Sequence, residues 1–100
     1  SDIYHCYNLV YVLKLEDNCY YVGVSSNLNA RLCQHFTGSG SNWTRLHKPI
    51  RLVEVYIGGE DKENEITRQY INRYGLGKVR GSTFLEYKIP ICSWLKSIKL

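Results

Sequence analysis

Two short runs rich in valine, leucine and tyrosine, "YNLVYVLKL" at 7–15 and "CYYVGV" at 19–24, stand on either side of the polar triplet "EDN". A connection that short predicts antiparallel pairing as a hairpin, with the two chains about 4.8 Å apart. The second half of the first run alternates, so that Tyr11, Leu13 and Leu15 share one face. Each side chain on one strand therefore has a fixed neighbour on the other.

The segment that follows has its own signals. "SSN" at 25–27 carries helix-capping chemistry, and Leu28, Leu32 and Phe36 recur at four-residue spacing, which predicts a helix from Asn27 to Phe36 with Arg31 and His35 on one side. "TGSGSNWTRLHKP" then reads as a loop, "IRLVEVYI" at 50–57 as a third strand, and "GGEDK" as its end. A second helix is expected over 61–74, with Ile66, Tyr70 and Tyr74 as its apolar stripe and Gly75 and Gly77 as its stop. "KVRGSTF" has no assignable element type, and Pro90 can open a last helix in which Ile91, Trp94, Leu95 and Ile98 repeat at helical spacing. The expected fold class is α/β (α+β): one domain over 1–100, with a small three-stranded mixed sheet begun by the antiparallel hairpin and flanked by helices.

One hundred residues with 44% hydrophobic content supply one core and no more. Thirteen basic against nine acidic side chains give a formal charge of +4, a bias toward a polyanionic partner. Cys6, Cys19, Cys33 and Cys92 form no CxxC pair and no Cys/His cluster, which fits reduced thiols in an intracellular protein. No stretch approaches the roughly 18 apolar residues of a membrane span.

The ordered set "LVY" at 9–11, "YVG" at 21–23, "NARLCQH" and "GSNWTRLHKPIRLVEVY" resembles the GIY-YIG nuclease superfamily over residues 9–83. The resemblance implies a mixed sheet flanked by helices that cleaves DNA phosphodiester bonds with one divalent metal, Mg²⁺ or Mn²⁺. It implies a DNA partner and a setting in DNA repair or recombination. A domain this small has little surface for reading bases, so sequence specificity is expected from an attached or separate DNA-binding module. Tyr11 and Tyr21 match the two motif tyrosines, Gly23 the motif glycine and Arg31 the helix arginine, while His35 falls where the family often places a histidine or tyrosine.

Those residue types suit the chemistry. Hydrolysis of a phosphodiester needs a base and a cation for the developing charge. Tyr11 is the candidate base, if a neighbouring cation lowers its pKa from about 10. Arg31 offers a planar fork to phosphate oxygens, and His35, one turn on, can shuttle a proton.

The resemblance also implies a metal-binding glutamate on the second helix, and counting from Pro49 puts that position at Gln69, just before Tyr70. An amide brings no charge to a metal, and three readings stay open. Gln69 is an engineered replacement, or the metal has moved to Glu65 on the same helix face with Glu63 a weaker substitute, or cleavage is lost and a nucleic-acid-binding module remains. The run Thr67, Tyr70, Tyr74, Gly75, Val79, Arg80 and Gly81 looks like a subgroup in which the residue before the tyrosine is often not glutamate and an acidic residue sits near 63. In the loop, Trp43, Arg45, His47 and Lys48 suit base stacking and phosphate contacts, or, for Trp43, closure of the core edge. Arg80 with Lys78 offers a further phosphate contact or an ion pair with Glu60 or Asp61.

Overall fold

A computed structural model describes residues 8–81. Tyr7, Cys6, Cys92, the end of "KVRGSTF" and the helix expected after Pro90 lie outside the described residues.

The hairpin forms as expected from β1 (Leu9–Leu15) and β2 (Tyr20–Ser25). Its turn places Asp17 at φ 63° and Asn18 at φ 59°, the left-handed region that Asp and Asn enter more readily than other side chains. The register sets Tyr11 opposite Gly23 and Leu13 opposite Tyr21. Helix α1 (Leu28–Phe36) starts at Asn27, whose side chain accepts the Ala30 N–H at 3.2 Å.

Two elements were not legible as such in the sequence. The loop after α1 contains a short helix, α2 (Asn42–Leu46), which opens at Ser41: its hydroxyl accepts the Thr44 N–H at 3.2 Å. "KVRG" becomes a fourth strand. After β3 (Pro49–Ile57) and α3 (Glu60–Tyr74), Gly75 ends the helix at φ 98°, and β4 (Val79–Gly81) then runs parallel to β2. The sheet is therefore four-stranded and mixed, in the order β3-β1-β2-β4, rather than three-stranded. A three-residue strand is too short to show alternation, and its partner is far away in the chain.

Alternation along β1 sends side chains to two separate clusters. Val10 and Val12 join Tyr20, Val22 and Val79 beneath Ile66 and Ile71 of α3. Tyr11, Leu13 and Leu15 join Cys19 and Tyr21 beneath Leu28 and Leu32 of α1 and Trp43 of α2. Both faces of the central strand are covered, so β1 is almost entirely buried. Among the described residues, no helix is long and apolar enough to cross a membrane.

Candidate active site

The stripe that α1 turns to the sheet differs from the one expected. Phe36 is exposed, and His35 is buried instead. At 100° per residue, His35 returns to within about 20° of Leu28, whereas Phe36 has drifted by about 80°. His35 thus points at the hairpin, and its Nε2 lies 2.8 Å from Tyr11 Oη. Its other nitrogen, Nδ1, lies 3.0 Å from Thr44 Oγ1 on α2.

Tyr11 and Tyr21 project from neighbouring strands with ring centroids 6.2 Å apart, and both are buried. Tyr11 can reach across the hairpin because its cross-strand partner has no side chain: a Cβ on Gly23 would lie 2.3 Å from Tyr11 Oη. Gly23 is itself buried, and its lack of a side chain leaves room for the Tyr11 ring. Half-buried Arg31 donates to Gln34 Oε1 at 2.7 Å, and its charge acts on both phenols.

The electrostatics correct one expectation. Burial, and then the neighbouring Tyr21, push the Tyr11 phenol well above its ordinary range, and Arg31 opposes this without overcoming it. Burial raises Tyr21 as well, against the pull of Arg31. His35 moves the other way: burial first, and then the Arg31 charge, push it down to about 4. At neutral pH the imidazole is uncharged and the phenol keeps its proton.

On the second helix, the buried stripe is Glu63, Ile66, Thr67 and Ile71. Glu63 is fully buried, and its charge is felt at both phenols. Glu65 and Gln69 share the opposite face: both are exposed, and Glu65 pairs with Lys62 at 3.3 Å. Two positions on from Glu63 a helix has turned by about 200°, which takes Glu65 away from the tyrosines. Glu63 is therefore on the buried face of α3, whereas Gln69 and Glu65 are on its exposed face.

The profile described as the GIY-YIG catalytic domain matches residues 6–80. The chain belongs to the GIY-YIG family, a family of nucleases. It is similar to a UPF0213 protein of Neisseria meningitidis, with 35% identity over 60 residues that cover 60% of this chain and 65% of that one. It is also similar to a UPF0213 protein of Staphylococcus aureus, with 34% identity over 65 residues, 63% of this chain and 76% of that one. The chain thus spans somewhat under two thirds of the Neisseria relative. No solved structure matches it.

For a GIY-YIG chain the donor set at the tyrosines is lean in carboxylates. Among the described residues, no three His, Cys, Asp or Glu side chains gather as a metal cage. One carboxylate still fits a hard cation that completes its shell with water and substrate phosphate.

Trp43 packs partly buried against the α1-side cluster. Its indole N–H donates to the Tyr20 carbonyl at 3.0 Å, Arg80 lies 4.6 Å over its ring and His47 meets it edge-on. Arg80 also donates to the Val79 carbonyl at 2.8 Å. Arg45 and Lys48, by contrast, are exposed and line an open pocket of about 470 Å³ beside His35 and Thr44. Sequence reasoning did not single out Ser41, Thr44 or Gly40, which back the imidazole. The one signal was the capping pattern of "SNWT".

Proposed function

We propose that this chain is a metal-dependent DNA endonuclease of the GIY-YIG type, in which Tyr11 is the base, Arg31 the phosphate clamp and Glu63 the metal ligand. The observation that carries this reading is the meeting of Tyr11, Tyr21 and His35 from two strands and one helix, with the charges of Arg31 and of buried Glu63 acting on both phenols. Arg31 is half-buried, and its fork can hold two oxygens of an incoming phosphate. Drawing Arg31 onto a phosphate uncovers Tyr11. Tyr11 takes a proton from the attacking water while His35, uncharged and behind it, accepts the phenol's own. Mg²⁺ or Mn²⁺ would sit at Glu63 and supply charge neutralisation at the scissile phosphate when bound. Tyr21 orients Arg31. Arg45 and Lys48 extend the basic surface along the DNA, and recognition of sequence falls to an attached or separate module.

Nicking of supercoiled plasmid with Mg²⁺ or Mn²⁺ tests this. Tyr11→Phe, Arg31→Ala and Glu63→Gln are each expected to lower the rate by about 10²-fold or more, while Gln69→Ala leaves it within about twofold. Silence of the unmodified chain with both cations, together with salt-dependent DNA affinity, would make it a binding module instead.

A further inference from the structure

The proposed mechanism needs His35 to accept a proton at Nε2, and a neutral imidazole does so only if its hydrogen is on Nδ1. That choice is made at the far side of the ring. His35 is 1% exposed, and the Gly40 backbone closes over Nδ1: a Cβ there would lie 2.4 Å from that nitrogen. Thr44 Oγ1, at 3.0 Å, is therefore the group that Nδ1 meets.

Thr44 has one hydroxyl hydrogen. Its Oγ1 donates to the Ser41 carbonyl at 3.1 Å, an atom that can only accept. With that hydrogen engaged, Oγ1 turns a lone pair to His35, and Nδ1 must be the donor. Ser41 Oγ, 3.1 Å from Thr44 Oγ1, has a hydroxyl that can fill the remaining lone pair. Nε2, on the other side of the ring, is then bare toward Tyr11. The phenol hydrogen has a path to that nitrogen, since Tyr11 Oη lies 2.8 Å from His35 Nε2.

We propose that Thr44, backed by Ser41, is a positioning residue that holds His35 in the Nδ1–H tautomer, so that Nε2 faces the Tyr11 hydroxyl as a proton acceptor. In the cleavage step the Tyr11 O–H bond breaks as an Nε2–H bond forms, with the electron pair left on Oη. That oxygen takes a proton from water as the water oxygen bonds to phosphorus and the leaving oxygen departs. The leaving oxygen is protonated by solvent, and His35 returns its extra proton to solvent.

This role rests on the nuclease reading, but its first test does not. In ¹⁵N NMR of the intact chain near pH 7, His35 is expected to show a protonated Nδ1 and a bare Nε2. Thr44→Val, which cannot accept a hydrogen bond, is expected to lose that preference, and Thr44→Ser to keep it. A protonated Nε2 in the unmodified chain, or a tautomer unmoved by Thr44→Val, overturns the proposal. The first of these outcomes needs no variant to fold. In the nicking assay, Thr44→Val should lower kcat by about 10- to 100-fold at little change in KM, the range for removing a group that orients a functional imidazole, with Thr44→Ser restoring most of it. An equal rate for Thr44→Val in an active enzyme also overturns it. Should the unmodified chain not nick at all while His35 shows the Nδ1–H form and Thr44→Val shifts it, the nuclease reading falls and the positioning role stands.

Discussion

His35 occupies a position where charge is unwelcome: it is buried, it packs against two tyrosine rings, and Arg31 is close by. In the unfolded chain an imidazole titrates near 6.5, and in this site at about 4. Between those values the unfolded chain holds more protons than the folded one, so stability falls as the pH is lowered through that window. The loss is on the order of 3 kcal/mol once the pH is below about 4, at about 1.4 kcal/mol per unit. Urea unfolding between pH 7.5 and 4 should show this slope, and His35→Gln should flatten it. A His35 titration midpoint near 6.5 by NMR would count against the burial effect.

At the level of elements, the hairpin is where one residue's absence makes room for another. Gly23 and Tyr11 are cross-strand partners, and the phenol fills the space where a Gly23 side chain would stand. Gly23→Ala is expected to force the Tyr11 ring aside and cost about 1–3 kcal/mol by chemical denaturation. Shortening Tyr11 to leucine in the same chain should recover part of that cost, because the two sites share one space and their effects are not additive. Equal costs in both backgrounds would mean that the clash is relieved elsewhere. The helices show what a face can hide. Helix α3 presents Glu63 inward and Glu65 and Gln69 outward, although all three lie within two turns.

For the whole molecule, the excess of basic side chains should govern how it meets DNA. Arg45 and Lys48, exposed beside the site, are expected to contact phosphates, so the double change to alanine should weaken binding at all sequences and reduce the salt slope of log K by about 2. Fluorescence anisotropy with labelled duplex across a salt series measures both, and an unchanged slope would place the DNA elsewhere. Much of this architecture was legible beforehand. The hairpin, α1, β3 and α3 follow from local pattern and cap residues, because their information is contained within a few residues. What escaped was non-local or too brief to have a period: β4 pairs with a strand from the far end of the domain, and α2 has barely one turn. Counting along the chain pointed to Gln69. Periodicity anchored on Ile66 and Ile71 would have pointed to Glu63, because a helix buries by angle and not by distance in sequence. The partners behind His35 were legible only as a capping pattern, since a capping serine and a threonine look alike whether or not an imidazole leans on them.

The Asp17–Asn18 turn has a consequence for how such a domain can vary. It fixes which residue of β2 stands opposite Tyr11. One residue inserted there, with the pairing count kept, would bring Val22 opposite Tyr11 and turn every β2 side chain to the other face. The strands can thus exchange side chains one at a time, whereas the loop can change length only where the extra residue is absorbed as a bulge. A lineage carrying this hairpin is freer in its letters than in its spacing.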